Sequence, residues 1–337
     1  MTRVSLGARL RHAIALVLDA LGVLDWLRRR RALRGQIPVL MFHRVAGTAD
    51  RPELLAFPLN HFRELVRHAA QRYQLAAWPD AVAAARTPAA QPVMVLTADD
   101  GYADQANLLW PCVHEVGGRL VLFVTRDPMV RQTPFWWDVA HAANAAAEPP
   151  PALDRAGLLA PSARSLSIGK QMKRLGTAAL TAKVHELTKQ LGDAPIGPRA
   201  LTTEDARRIA AEGATLGGHG VTHASLTMCD DAELASEVRG SRDLDAIAGE
   251  HVDVFAYPTG WYDARVTRAV ADAGFTWAFT TESGLFDANT DPLRVPRIDV
   301  FPALVSPDLL TFSWPLFEAE LLGVFDVLFL RRWRGLR

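Results

Sequence analysis

The stretch Val93-Met94-Val95-Leu96-Thr97-Ala98-Asp99-Asp100-Gly101-Tyr102 sets an apolar run against two adjacent carboxylates and a glycine. The run predicts a strand over Pro92 to Thr97, with the acidic pair delivered at its end. Asp and Gly also suit an ordinary strand-to-helix turn, so the pair has a purely structural reading as well. Its chemical reading is a division of labour. One carboxylate, Asp100, holds a divalent ion while the other, Asp99, stays free as a base, which points to hydrolysis.

Working outward, short apolar runs alternate with helical patterns. Candidate strands are Ile37 to Phe42, Pro92 to Thr97, Arg119 to Val124, Ala214 to Leu216, Val252 to Tyr257, Thr276 to Thr280 and Arg294 to Val300. Asn60 is a candidate cap for a helix whose apolar face is Phe62, Leu65, Val66 and Ala69. Thr202 or Thr203 caps another that stops near Gly213. Such a βα succession predicts a barrel of parallel strands, whose C-terminal ends share one face. His43, Asp99, Asp100, His219 and Thr259 meet there despite their distance in sequence.

Downstream, Gly217-Gly218-His219-Gly220-Val221-Thr222-His223 carries two imidazoles four residues apart. On one helical turn after Gly218 they would face the same side and converge on one ion. Alone, the pair reads first as two surface or N-terminal helix histidines. Zinc takes His nitrogen and Asp oxygen, and a catalytic zinc keeps three protein ligands and an open position for water. Asp100, His219 and His223 supply that set, so the expected cofactor is a divalent metal, with zinc the first choice.

Taken in order, these segments resemble the NodB-like polysaccharide deacetylases, carbohydrate esterase family 4. The family's Thr-Phe-Asp-Asp-Gly motif stands as Thr97-Ala98-Asp99-Asp100-Gly101, and its His-Ser/Thr-x-x-His motif as His219-Gly220-Val221-Thr222-His223. Leu40-Met41-Phe42-His43-Arg44-Val45 reads as a first strand running into His-Arg-Val. Phe255-Ala256-Tyr257-Pro258-Thr259-Gly260 sits where the family carries Arg-x-Pro-Tyr/Phe-Gly. Arg294-Val295-Pro296-Arg297-Ile298-Asp299-Val300 looks like the closing strand of the exopolysaccharide branch.

The resemblance spans about residues 37 to 302. It implies a distorted (β/α)7 barrel, removal of N-acetyl groups from a polysaccharide or glycan precursor, and the backbone N–H of Thr259 as an oxyanion donor. The sequence also departs from the family. No His follows His251, so the usual late general acid is missing; His43 is the substitute, unless it is a structural histidine of the barrel. The motif arginine is missing too, with Ala256 in its place. Arg297 either reaches Asp99 and holds it ionised or makes an ordinary ion pair at the rim.

Lys plus Arg number 37 and Asp plus Glu 37, so no global charge calls for nucleic acid. Cys112 and Cys229 read as packing thiols. Three segments are expected: an amphipathic helical segment over 1–36, the barrel over 37–302, and a helical segment over 303–337. Within the barrel, an insertion over about 127–200 is expected to cover the catalytic face. It carries Phe135-Trp136-Trp137-Asp138, Pro149-Pro150-Pro151 and a helix near Gly169 to Leu191. The tryptophans either stack on sugar or anchor a helix.

At the N-terminus, Leu6, Leu10, Ala13, Val17, Leu21 and Leu24 recur at helical steps ahead of Arg28 to Arg31. Near the other end, Trp314, Phe317, Leu321, Leu322, Phe325, Leu328 and Phe329 precede Arg331-Arg332-Trp333-Arg334. These stripes either dock on the barrel or touch a membrane surface. No cleavable export signal is evident, giving an expected location in the cytoplasm or peripheral at a membrane. Two other functional readings stay open: another linear-amide hydrolase on the same fold, and a non-catalytic carbohydrate-binding or membrane-associated assembly protein.

Overall fold

Seven parallel strands follow the predicted positions: β1 Val39–Phe42, β2 Val93–Ala98, β3 Leu120–Val124, β4 Thr215–Gly218, β5 Val254–Ala256, β6 Trp277–Phe279 and β7 Ile298–Asp299. They lie in the order β6-β5-β4-β3-β2-β1-β7, with a further short piece, Gln74–Leu75, pairing with the start of β2. The computed structural model describes residues 6–49, 51–53, 56–88, 91–145, 163–193 and 196–328. Pro149-Pro150-Pro151, Phe329 and Arg331 to Arg334 lie outside the described residues.

The last strand closes the curl. Its predicted span, Arg294 to Val300, divides at Pro296, which has no N–H to give to a ladder. Before that break, the Val295 N–H bonds Ala278 O at 2.8 Å and the Thr280 N–H bonds Val295 O at 2.9 Å, both against β6. After it, Ile298 and Asp299 pair with Leu40 and Met41 of β1. The result is the distorted, incomplete (β/α)7 barrel that was expected.

Side chains alternate across each strand. Leu40, Phe42, Leu96, Leu122, Leu216, Phe255 and Ala278 point outward under the helices, where they join Phe62, Leu65, Val66 and Ala69 of the helix Leu59–Arg72. Val39, Val95, Val121, Phe123, Val254, Ala256 and Phe279 fill the interior, and Trp78 packs among them with ring centroids 4.6 Å from Phe279 and 4.7 Å from Phe286. Gly217 belongs to this inner row. A Cβ there would come within 2.4 Å of Phe123, so the barrel fills only if this position is bare.

Caps and inserted helices differ in part from expectation. Thr202 forms a capping box with Asp205 and starts the helix Thr203–Ala211. Asn60 is no cap: Pro58 holds that position, and the Asn60 carboxamide oxygen instead accepts from the Ala49 N–H. The single inserted helix expected near Gly169 to Leu191 is two, Ala163–Met172 and Thr177–Leu191. Both cysteines are buried and unpaired.

At the N-terminus one predicted helix is also two, Leu6–Ala20 and Val23–Ala32, parted at Gly22 with φ 70°. They pack on the helices Trp314–Leu321 and Val324–Leu328, but of the stripe read from the sequence only Leu24 takes part. Ala15 and Leu24 are buried against Leu316, Ala319, Leu322 and Phe325, whereas Leu6, Leu10, Val17 and Leu21 are exposed. Arg28 reaches the buried Glu318 at 2.6 Å, which also accepts from Trp314 Nε1 at 2.8 Å. No helix among the described residues is long and apolar enough to cross a membrane.

Candidate metal and catalytic centre

The inward side of the strand ends carries the chemistry. Continuing the inner row past Val95 and Thr97 brings Asp99 into the mouth, and continuing past Gly217 brings His219. Alternation alone would turn Asp100 outward. Instead Asp100 takes φ 81° and Gly101 φ 90°, which swings the second carboxylate back beside the first. A left-handed Asp is uncommon, so the turn is held by bonds: the Asp100 carbonyl accepts from the Thr125 N–H at 3.0 Å, and Leu201 N–H bonds Gly101 O at 2.9 Å.

Asp100, His219 and His223 are all buried, and their donor atoms lie within 4.8 Å of one another, the one such trio found among the described residues. Asp100 Oδ1 is 3.6 Å from His219 Nε2 and 3.3 Å from His223 Nε2. His219 Nδ1 lies 2.8 Å from Ala256 O. A carbonyl can only accept, so Nδ1 carries the proton and Nε2 turns its lone pair toward Asp100, as a metal ligand requires. Burial opposes ionisation of Asp100, yet the two adjoining imidazoles, with the charge of His43 beyond them, hold its pKa far below the carboxylate range. For His223 burial dominates and lowers the pKa, favouring the neutral, ligating form. This donor set fits a small divalent ion of the zinc type.

The histidines do not converge through a helical turn. His219 to His223 is a loop in which Gly220 has φ 75° and His223 φ 62°, and those two reversals bring the rings to 4.7 Å between centroids. A buried carboxylate absent from the sequence reading, Glu237, holds the loop. It accepts from the Val221 N–H at 2.8 Å, the Thr222 N–H at 3.0 Å and the Thr222 hydroxyl at 2.6 Å, between the two ligating positions. Thr177, at the start of an inserted helix, donates to the same carboxylate at 3.0 Å. The loop is stitched as well to the first turn of the helix Arg126–Arg131 that follows β3, through Arg126 N–H to Gly220 O at 3.1 Å and Asp127 N–H to Val221 O at 2.9 Å.

The insertion walls this side of the mouth. Trp136 Nε1 donates to His223 O at 3.2 Å, and the Trp137 ring lies 4.5 Å from the His223 ring, edge to face. Trp137 Nε1 donates to the Tyr102 hydroxyl at 2.6 Å, which donates in turn to Asp138 at 2.9 Å. The tryptophans therefore brace a ligand loop. Lys173, between the inserted helices, adds positive charge that further lowers the His223 pKa.

Arg297 takes the first of its two predicted roles. Its guanidinium grips Asp99 with two parallel bonds, NH1 to Oδ1 at 2.6 Å and NH2 to Oδ2 at 2.7 Å, while Nε donates to Thr280 O at 2.9 Å. Burial would raise the Asp99 pKa, but Arg297 overrides it and keeps the carboxyl below its usual range. Each carboxylate oxygen retains a second lone pair for a proton or a water.

His43, at the end of β1, is exposed on the rim, and its positive form would help to hold Asp99 and Asp100 ionised. Asp299, on the neighbouring strand end, feels the same histidine; desolvation raises its pKa, against His43 and Arg297. Gln105, fully buried in a one-turn π-helix, donates to the backbone carbonyls of both His43 and Asp99 and ties β1 to β2. Thr259 lies past the end of β5 with φ 61°, its hydroxyl 3.2 Å from Ser225.

Against known proteins, residues 86–278, more than half of the chain, match the family described as polysaccharide deacetylase. A Bacillus subtilis (strain 168) protein, YxkH, provisionally assigned as a polysaccharide deacetylase, is 25% identical over 105 residues. That stretch is 31% of this chain and 38% of the relative, so the chain spans less than half of the curated relative's length. Among solved structures, the Streptococcus pyogenes deacetylase PplD in complex with acetate superposes with a TM-score of 0.55 at 18% identity, covering 82% of this chain and 96% of that one. IcaB from Ammonifex degensii gives 0.53 at 16%, covering 84% and 96%. At such identities the likeness speaks for the fold.

Proposed function

Since the chain belongs to the polysaccharide deacetylase family, we propose that it hydrolyses the acetamide of an N-acetylated sugar in a polysaccharide or glycan precursor. The observation that carries this reading is the pairing of two environments: a buried Asp100, His219 and His223 trio beside an ionised Asp99 that lies outside it. A divalent cation, zinc by its donor set, would be held by the trio, where it would polarise the acyl carbonyl and lower the pKa of a bound water.

In this reading Asp99 accepts the proton of the attacking water. Arg297 keeps that carboxylate charged and aimed, at some expense in basicity. The Thr259 N–H supports the developing oxyanion. His43 returns a proton to the sugar nitrogen, because an amine leaves an amide poorly unless protonated. Its position on the open rim of β1 suits contact with a substrate better than a purely structural role inside the barrel.

The test is acetate release from a panel of N-acetylated glycans, with metal content measured on the same preparations. Asp99→Asn should keep the metal and lose turnover; His219→Ala should lose both. An Asp99→Asn protein with unchanged turnover would remove Asp99 from the base role. His43→Ala with an unaltered rate and pH profile would remove His43 as the acid.

A further inference from the structure

We infer that the N-terminal helical layer is a docking surface for an anionic lipid bilayer, independent of the chemistry at the barrel mouth. Nine of the thirteen large hydrophobic side chains exposed among the described residues belong to this layer: seven lie between Leu6 and Leu33, and the other two are Val327 and Leu328. Leu6 is 84% exposed, Leu10 51%, Val17 57% and Leu21 71%. Steps of three and four residues, with Ala13 between Leu10 and Val17, align them in one stripe along the helix Leu6–Ala20 and the turn after it. The fold does not use that stripe, because the helix is held through a different face: Ala15 is buried, Ile14 and Leu18 pack beside it, and Arg11 pairs with Glu320.

Charge selects the occupant. Of the seven arginines in residues 6–34, Arg9, Arg29, Arg30 and Arg34 are exposed, against one exposed carboxylate, Asp19, in a chain whose formal charges sum to zero. Two copies meeting through this layer would set like charges together, whereas an anionic headgroup surface complements them. Trp26 is 56% exposed, with the Arg30 guanidinium 5.2 Å above its ring. A ring with a cation over it suits headgroup depth, where an apolar body and a charged tip are both accommodated.

The layer lies away from the metal centre. Arg28 and Arg31 line a small hollow with Pro38, Tyr73 and Pro92, where β1 and β2 begin, while Asp99 and Asp100 follow the other end of β2. Docking therefore leaves the mouth uncovered, which suits a glycan reaching it from beyond the surface better than a sugar attached directly to lipid.

The test is co-sedimentation of the full chain with vesicles of phosphatidylcholine alone, or of phosphatidylcholine with one quarter phosphatidylglycerol. Binding should require the anionic lipid and weaken as salt rises. The double variant Leu10→Glu, Val17→Glu should lower the affinity at least about tenfold, since both the apolar and the charge contributions suffer. Both side chains are exposed, so the fold should survive, as circular dichroism would check; Leu10→Gln, Val17→Thr is the milder second pair. Equal binding to both vesicles, no binding to either, or binding indifferent to both pairs would overturn the inference. So would a dimer in sedimentation velocity that the Glu pair dissociates, which would assign the stripe to a second copy.

Discussion

The inner face of the strands and the loops at their rim build the same centre by different means. Strand alternation delivers Asp99, His219 and Arg297, each continuing a row of inward residues, and their positions follow from the sheet itself. The rim delivers Asp100 and His223, both left-handed non-glycine residues held by hydrogen bonds from elsewhere in the chain. The strand-borne Asp99–Arg297 pair should therefore respond to substitution mainly as a packed, buried pair of charges. Rim-borne groups should respond through metal affinity, because their geometry is borrowed.

The largest expected effect is on the strand side. Arg297→Ala leaves the buried Asp99 carboxylate without its bidentate partner, and breaking such a pair typically costs roughly 3–5 kcal/mol. Arg297→Lys should recover part of the stability but little acetate release, since an ammonium cannot reproduce the two parallel bonds. Metal content of the folded fraction should hold in both. The sign with pH follows from the depressed Asp99 pKa: the pair's contribution is full at neutral pH and fades only as acid takes the carboxylate below the ordinary aspartate value of about 4. Denaturant melts across that range measure this, and a wild-type midpoint for Arg297→Ala would remove the strand side of the contrast.

A smaller effect, of a different kind, is expected at the rim. Glu237→Gln keeps the size of the side chain but turns one acceptor oxygen into a donor facing the Val221 and Thr222 amides or the Thr222 hydroxyl. Outer partners of metal ligands typically govern affinity by about 10–100-fold, and a loss of that order is expected in chelator competition. Gly220→Ala should move the same readout more modestly. It places a Cβ at φ 75°, 3.1 Å from the Glu237 carboxylate, at a backbone cost of roughly 1–2 kcal/mol. If both variants lost stability but kept metal affinity, the loop would be a structural element with no hold on the histidines.

The same contrast explains what could be read from residue order. Periodicity placed the seven main strands but not the short Gln74–Leu75 piece, because apolar runs of that length between helical patterns have few other solutions, and it placed Asp99 and His219 in the mouth. It could not foresee the kink at Pro296, which turns one seven-residue strand into two pairings. Nor could it distinguish a helical turn from the loop His219 to His223: both leave two histidines four apart, and only Gly220 hinted at the reversal. Glu237, Gln105 and Tyr102 left no mark, since each acts on backbone or rings remote in sequence. The N-terminal stripe was visible, but amphipathicity does not say which of two apolar faces the fold will bury.

The smallest effect sharpens the rim side through Asp138. Burial pushes its carboxyl up to about 7, against the Tyr102 hydroxyl bond and the Arg44 charge, so the folded protein prefers it protonated. With the folded value above the unfolded one, this group's contribution to stability is complete below about pH 4 and is lost as pH rises through about 7. Asp138→Asn keeps an acceptor for Tyr102 and cannot ionise. The gap in melting temperature between variant and wild type should therefore move in favour of Asn as pH rises from about 5 to about 8. Reading that difference cancels the other titrating groups common to both proteins. A gap that stays flat would mean that Asp138 is already charged when folded, and that the Tyr102–Trp137 wall beside His223 tolerates an anion behind it.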